Sequence, residues 1–177
     1  PQNPKTPHSA CDKKVLANIE HYLEQHAAET VAMIVEPLVQ GAAGMRMCRS
    51  VFLQQLVALL KSYDVLVIYD EIMTGFGRTG KWFAMDYLEQ KPDIVCLSKG
   101  LTGGMMAMGV TVCSNLLFES FLSTDRTKTL FHSHSFTANP LACAAANASL
   151  DLMEKAETWS QIAAIQESHE VWKNKLN

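Results

Sequence analysis

An acid and an amine each follow a short apolar segment in this sequence. Asp70 comes directly after residues 65–69, Val-Leu-Val-Ile-Tyr, and Lys99 comes one serine after residues 94–97, Ile-Val-Cys-Leu. Continuous apolar segments of this length are typical of strands that are buried on both faces in a parallel sheet. Because ligands bind at the carboxyl ends of parallel strands, we expect Asp70 and Lys99 to lie at one edge of the sheet.

The two functional groups suit a cofactor that carries a reactive carbonyl. Desolvation frees an amine as a nucleophile or base, and we expect Lys99 to be desolvated after its apolar strand. A buried carboxylate such as Asp70 requires a cation beside it. Pyridoxal phosphate meets both needs, because a lysine bonds its aldehyde as a Schiff base while an aspartate pairs with its pyridinium nitrogen. A metal ion at Asp70 is the alternative, although no further acid or histidine stands nearby at ligand spacing.

A glycine-rich turn at residues 75–80, Gly-Phe-Gly-Arg-Thr-Gly, separates the two segments and partly matches two nucleotide-binding patterns. The dinucleotide pattern should open a long helix directly after its strand, and no clear helix follows here. The phosphate-binding loop of ATPases needs Ser or Thr after its lysine, and Trp82 follows Lys81. A tight turn with left-handed backbone is therefore the better interpretation. Glu71, beside Asp70, is expected to have a structural role.

A second polar cluster, residues 132–135 (His-Ser-His-Ser), precedes a helix signal at Asn139. The two histidines would share one face of an extended segment, but there is no third ligand at useful spacing. A loop is therefore favoured, and we predict no metal site. Ser133 and Ser135 could instead hold a phosphate through their hydroxyl groups and nearby backbone amides.

The elements that position these residues follow from the apolar periodicity. Four apolar segments predict strands, at residues 31–35, 65–69, 94–97 and 109–114. A helical segment between the first two makes them a parallel strand–helix–strand unit. Only a tight glycine turn separates the last two, so the strand at 109–114 is predicted to be antiparallel. Helix starts are predicted at Ser9, Ser50, Asn115, Asn139 and Thr158.

Composition limits the class of protein. The 177 residues are 48% hydrophobic and 19% charged, with a net charge of −3, so nothing points to nucleic acid or an anionic membrane as partner. No apolar segment approaches the roughly 20 residues that span a bilayer. The sequence begins Pro-Gln-Asn without a signal-peptide core, and its five cysteines form no Cys-x-x-Cys pair. We expect a cytoplasmic chain that begins within a longer protein.

Four segments resemble the class III aminotransferases, a branch of the fold-type I pyridoxal-phosphate enzymes. The segments are residues 35–44 (Val-Glu-Pro-Leu-Val-Gln-Gly-Ala-Ala-Gly), 70–80, 92–101 and 136–146. The match covers about residues 31–155, in order. It implies a three-layer α/β fold in which residues 1–155 are part of the cofactor-binding large domain. Residues 156–177 would form a helix leading toward a C-terminal domain.

The resemblance implies a role for each residue of the first cluster. Lys99 would bind the cofactor covalently and then move the proton between substrate and cofactor. Asp70 would keep the pyridine nitrogen protonated. Ile72 would pack on the ring, and Glu36 would lie near the edge of the cofactor. Met73 departs from the family, some of whose members have glutamine at this position.

The resemblance also implies a homodimer in which the second cluster reaches the partner's site. His134 and Ser135 would lie at the phosphate of the cofactor that the partner subunit binds, and Ser133 would lie near the substrate. Ser135 stands where many members have threonine, so the hydroxyl group is kept.

Residues 44–47 and 139–150 are most similar to the branch of the family that acts in biotin synthesis. That similarity implies transfer of an amino group from S-adenosylmethionine to 8-amino-7-oxononanoate, giving 7,8-diaminononanoate. The alternatives are another class III ω-amino acid aminotransferase, an aminomutase, or an inert fragment that keeps the fold. Members of the family are much longer than 177 residues, so we expect this chain alone to be inactive.

Overall fold

The structure is a computed structural model that describes the backbone of residues 8–176 and the side chains of residues 12–176. This part of the chain has six strands: β1 (Ala32–Val35), β2 (Val39–Gln40), β3 (Arg46–Met47), β4 (Leu66–Asp70), β5 (Ile94–Leu97) and β6 (Val110–Cys113). Its five α-helices are α1 (His8–His26), α2 (Ser50–Ser62), α3 (Asn115–Glu119), α4 (Pro140–Met153) and α5 (Ala156–Leu176). None of these helices is long and apolar enough to cross a membrane.

Four of the strands form one mixed sheet in the order β1-β4-β5-β6. β1, β4 and β5 run parallel, and β6 runs antiparallel to β5. Helix α2 supplies the crossover between β1 and β4, whereas the connection from β5 to β6 is too short for one. The predicted α/β fold, with a mainly parallel sheet and an antiparallel strand within residues 109–114, is confirmed. β2 and β3 form a separate small hairpin.

Helices α1 and α2 pack on one face of this sheet and form the main core. The apolar face of α2 follows the helical period and is buried against Val67 and Tyr69 of β4. Leu23 of α1 closes the same cluster. Each fully buried side chain of this kind contributes about 1.5–3 kcal/mol, so the core holds β1 and β4 firmly in place. The buried residues of α2 are Leu53, Leu56, Val57 and Leu60.

Helix α4 supports the segment that follows β5. That segment is a 3-10 turn, Lys99–Thr102, and it packs along α4. Phe76, Leu101 and Ala146 form a second buried cluster between the glycine-rich turn, the 3-10 turn and α4. Alanine in this helix leaves room for the turn to approach closely, so α4 fixes the position of the turn relative to the sheet.

The strongest predicted helix start is confirmed. Asn139 is the N-cap of α4, and its Oδ1 accepts a hydrogen bond from the Leu141 N–H at 2.9 Å. Thr158 does not begin α5; its hydroxyl donates to the Leu152 carbonyl at 2.6 Å and so satisfies the end of α4. Ser50 and Asn115 are the first residues of their helices, one position after the observed N-caps Arg49 and Ser114. Helix α1 begins at His8, one residue before Ser9, and α5 begins two residues before Thr158.

Candidate functional site

Asp70 and Lys99 lie at the ends of neighbouring strands. Asp70 is the last residue of β4, and Lys99 is the first residue of the 3-10 turn after β5. Because β4 and β5 are parallel, both segments leave the sheet at the same edge, as the strand pattern predicts. The Glu71 N–H donates to the Cys96 carbonyl at 3.0 Å and holds the two strand ends together.

Asp70 is half-buried and has one backbone donor. Its Oδ1 accepts the Ile72 N–H at 3.0 Å. Among the side chains of residues 12–176, no cation forms an ion pair with it. Cys96 stands directly opposite on β5, and burial together with the charge of Asp70 raises the pKa of the Cys96 thiol. The thiol therefore stays neutral, and the Asp70 carboxylate is left able to bind a cationic donor.

Lys99 has an unusual backbone and an open side chain. Its φ of 45° is left-handed, a conformation that a residue with a Cβ seldom adopts. Its side chain is exposed in the described part of the chain, so the prediction that the Lys99 amine is desolvated is wrong. The reason is that β5 is buried at only one of its four positions, and the turn after it projects beyond the sheet.

Lys99 lines two adjacent cavities. One, of about 400 Å³, also contains Ile72 and Met73, which give it an apolar wall. The other, of about 820 Å³, lies between the glycine-rich turn and α5. Arg78 lines both cavities and was not among the residues that the sequence singled out. The sequence feature that could have identified Arg78 is that it is the one cationic residue within residues 75–80.

The glycine-rich turn is a structural loop and shows no sign of a nucleotide motif. Gly77 and Gly80 have φ values of 84° and 89°, which only glycine adopts without strain. The segment after it forms a short 3-10 helix, Ala84–Tyr87, instead of the long helix that a dinucleotide site needs. The interpretation as a tight left-handed turn is confirmed.

Glu71 closes this turn from inside the protein. The side chain is fully buried and accepts three hydrogen bonds, from the Thr74 hydroxyl (2.6 Å), the Ala84 N–H (2.9 Å) and the Met85 N–H (2.7 Å). Three donors satisfy a buried carboxylate without a cation. Its predicted structural role is confirmed.

Glu36 lies in the loop between β1 and β2, and its side chain binds the turn that follows β2. Its Oε2 accepts the Gly41 N–H at 2.8 Å. Gly41 lies directly against the Met73 thioether, so a Cβ added at this position would force the Met73 side chain to move. Glu36 therefore shapes the loop that packs on Met73, a residue of the smaller cavity that Lys99 lines.

The structure does not bring the second cluster to Lys99. Ser133, His134 and Ser135 are exposed. His134 lines a third cavity, of about 620 Å³, at the start of α4, and Lys99 is not part of it. The His134 Nδ1 accepts the Phe136 N–H at 3.1 Å. The expected contacts of these residues would lie in a partner subunit, and they stay predictions.

Comparison with known sequences gives a consistent family. A model of the class III aminotransferases matches residues 2–176. The adenosylmethionine-8-amino-7-oxononanoate aminotransferase of Synechococcus elongatus is 47% identical over 160 residues, which are 90% of this chain and 37% of that protein. The enzyme of the same name from Helicobacter pylori is 42% identical over 153 residues, 86% of this chain and 35% of that protein.

Solved structures agree with these sequences. The structure of adenosylmethionine-8-amino-7-oxononanoate aminotransferase from Methanocaldococcus jannaschii superposes with a TM-score of 0.81 at 36% identity, over 92% of this chain and 37% of that one. An (S)-enantioselective ω-transaminase from Thermomicrobium roseum gives 0.80 at 33% identity, over 88% and 34%. The chain thus spans little more than a third of the length of its relatives.

Proposed function

Because this chain belongs to the class III aminotransferases, we propose that it forms the central part of an aminotransferase that uses pyridoxal phosphate. The observation that carries the proposal is the position of Asp70 and Lys99 at the ends of adjacent parallel strands. An acid and an amine in this arrangement match the two ends of the reactive part of the cofactor, its ring nitrogen and its aldehyde.

The residues present fit this cofactor. The Asp70 carboxylate has a single backbone donor and no cation among the described side chains, so it can bind a protonated ring nitrogen. The Lys99 amine is free in a cavity of about 400 Å³, which lies within the usual size range of small-molecule sites. Ile72 shares this cavity and offers an apolar surface to a ring.

The cofactor supplies an aldehyde that bonds amines and a ring that takes up electrons from the reacting carbon. Lys99 would hold it covalently between turnovers and would carry a proton to and from the substrate's α-carbon through its free amine. Asp70 would hold a proton on the ring nitrogen. Ile72 would orient the ring, and Glu36 would hold the loop at the cofactor's edge.

The second cluster would complete the site of another subunit. We propose a homodimer in which His134 and Ser135 contact the phosphate in the partner's site and Ser133 lies near the substrate. Support comes from the exposure of all three side chains and from their position just before α4. Residues 1–155 would belong to the large domain, and residues 156–177 would lead toward a C-terminal domain. A cytoplasmic location accords with this biosynthetic role.

The proposed reaction is transfer of an amino group from S-adenosylmethionine to 8-amino-7-oxononanoate, giving 7,8-diaminononanoate. Identities of 40–47% to five enzymes named for this activity support it. The fold does not distinguish this reaction from that of other class III enzymes, because an ω-transaminase superposes almost equally well. Another ω-amino acid aminotransferase is therefore the second candidate.

The experiment uses the complete gene product that carries this sequence. Pyridoxal phosphate is added, the visible absorption is recorded, and borohydride reduction followed by peptide mass analysis locates the attached group. We expect attachment at Lys99 and no attachment in Lys99→Ala, with Lys81→Ala as a matched control that leaves it intact. Absence of attachment at Lys99 would contradict the proposal and favour an inert fold. Binding of magnesium–ATP instead would favour a nucleotide site.

A screen of amino donors then separates the two candidate reactions. S-adenosylmethionine is compared with ω-amino acids, with 8-amino-7-oxononanoate or pyruvate as the acceptor. We expect product from S-adenosylmethionine with 8-amino-7-oxononanoate and at least tenfold less from the other pairs. Efficient use of an ω-amino acid with pyruvate would assign the chain to the second candidate.

A further inference from the structure

The left-handed backbone of Lys99 requires an explanation. Its φ is 45°. A lysine gains nothing locally from this conformation, because it lacks the short polar side chain with which Asn or Asp bonds the nearby backbone. Such strained residues persist only where the surroundings fix them, and they concentrate at functional sites.

Two hydroxyl groups fix the segment in which Lys99 lies. The Ser98 hydroxyl donates to the Met108 carbonyl at 2.5 Å. The Thr102 hydroxyl donates to the Met106 carbonyl at 2.7 Å and accepts the Met106 N–H at 3.3 Å. Thr102 is only 2% exposed, so its bonds are shielded from water. The residue before Lys99 and the last residue of its turn are thereby tied to the segment that leads into β6.

A third hydroxyl group reaches the turn from a distant helix. Ser149 of α4 donates to the Gly100 carbonyl at 3.2 Å, across 49 positions of sequence. Packing also restrains the turn, because Gly100 lies so close to Phe76 that an added Cβ would be 2.9 Å from the Phe76 Cβ. The turn is therefore held from the β6 side by two hydroxyl groups and from the α4 side by one.

We propose that Ser98, Thr102 and Ser149 are positioning residues for the amine of Lys99. Their hydroxyl groups hold the backbone of Lys99 in its left-handed conformation, and this keeps the amine in the cavity beside Ile72. The proposal rests on the proposed function, since it assigns the purpose of the strain to covalent attachment of the cofactor. In that step the neutral Lys99 amine would bond the aldehyde carbon, and the aldehyde oxygen would leave as water with the two hydrogens of the amine. An amine held in place loses less freedom on forming the bond.

The conformation itself can be tested without cofactor. Lys99→Gly and Lys99→Ala are compared in the complete gene product by urea unfolding. Glycine lowers stability where the backbone is right-handed or extended, but it raises stability relative to alanine where the backbone is left-handed. We expect the unfolding constant of Lys99→Gly to be roughly two- to tenfold smaller than that of Lys99→Ala. A larger constant for the glycine variant would overturn the proposal.

The positioning role is tested by two separate measurements on Ser98→Ala, Thr102→Val and Ser149→Ala. The first is the rate constant for covalent attachment of pyridoxal phosphate. The second is the affinity for pyridoxamine phosphate, which lacks the aldehyde and cannot bond Lys99. We expect attachment to be about tenfold slower, with the affinity changed less than twofold.

Ser98→Thr and Thr102→Ser keep the hydroxyl group and should restore the wild-type rate. Ser160→Ala removes a comparable bond to the Ala156 carbonyl (3.1 Å) in α5 and should change neither quantity. Unchanged attachment rates in all three test variants, or a parallel loss of affinity for pyridoxamine phosphate, would overturn the positioning role. A wild-type protein that forms no bond with pyridoxal phosphate would instead refute the proposed function.

Discussion

Asp70 carries its charge at a strand end where the protein provides little to neutralise it. The Ile72 N–H is its one hydrogen-bond donor in the described part of the chain. Its neighbour on β5, Cys96, has a thiol whose pKa is raised by burial and by Asp70 itself, so this side chain offers only a weak donor. The carboxylate thus keeps free acceptor positions, which a group that binds a protonated pyridine nitrogen needs.

We expect Asp70→Asn to separate cofactor attachment from catalysis. Asparagine keeps the size of the side chain but cannot stabilise a positive ring nitrogen. Attachment at Lys99 should persist, while kcat/KM for transamination should fall by about 100-fold or more. Asp64→Asn, an exposed acid at a left-handed position that asparagine also tolerates, is the matched control. Activity of Asp70→Asn within threefold of wild type would remove Asp70 from the site.

The Cys48 thiol makes the stability of the fold depend on pH. Burial, assisted by the Asp12 carboxylate, raises the pKa of this thiol from 9.0 to about 11. Between these two values the unfolded chain loses the proton and the folded chain keeps it, so the stability of the fold declines as pH rises from 9 to 11. The contribution of Cys48 is fully present below pH 9.

Urea unfolding at pH 8 and pH 10.5 measures this effect. We expect wild type to lose more stability between the two pH values than Cys48→Ala does. Cys113→Ala, which removes an exposed thiol, should behave as wild type. Equal losses in wild type and Cys48→Ala would show that the thiol titrates in the folded protein as it does in the unfolded chain.

For the helices and strands, the sequence predicted the features that depend on neighbouring residues alone. Continuous apolar segments located the strands of the main sheet, and the short connection before residue 109 gave the direction of β6. Asn139 was predicted as an N-cap because its side chain bonds backbone two residues away. The exposure of Lys99 was not predicted, because an apolar strand indicates burial of the strand and not of the turn after it.

The contacts that fix the Lys99 turn were beyond sequence pattern for the same reason. Ser149 reaches Gly100 across 49 positions, and no local periodicity encodes that pairing. Arg78 lines the cavity of Lys99 because the fold places the glycine-rich turn beside the Lys99 turn. Sequence therefore located the strand ends, and tertiary contacts decided which side chains meet there.

The close approach of the glycine-rich turn to the Lys99 turn gives a prediction for Gly100→Ala. The added methyl group would lie 2.9 Å from the Cβ of Phe76, an atom that cannot move without the backbone, and 3.2 Å from its Cγ. We expect a loss of about 1–3 kcal/mol in the free energy of unfolding. In Gly109→Ala the nearest atom is the Leu97 carbonyl oxygen at 3.7 Å, an ordinary contact, so this control should be nearly neutral. Equal stability of the two variants would show that the turns do not touch.

At the scale of the whole molecule, the surface around the second cluster is strongly apolar. Four large side chains on either side of His134 and Ser135 are more than 60% exposed: Leu130, Phe131, Phe136 and Leu141. Several large apolar side chains exposed within one short segment are typical of interaction surfaces. The same segment contains the residues proposed to reach the partner's cofactor, so one surface would account for both dimerisation and completion of the site.

We expect Phe131→Asp to convert the complete gene product from dimer to monomer and to weaken its binding of pyridoxal phosphate. Phe131 is 73% exposed here, and a buried unpaired carboxylate at the interface would cost several kcal/mol. Light scattering after size-exclusion chromatography gives the mass, and fluorescence titration gives the affinity. The two should change together, because a monomer would lack the partner's His134 and Ser135 at its phosphate.

Val51→Asp is the matched control for the charge and the exposure. Val51 is 55% exposed in the first turn of α2, where an acid is tolerated by the helix dipole, so mass and affinity should both stay as in wild type. A Phe131→Asp protein that remains dimeric with full affinity would place the dimer interface elsewhere. A monomer that keeps full affinity would instead leave the interface in place and remove His134 and Ser135 from the phosphate site.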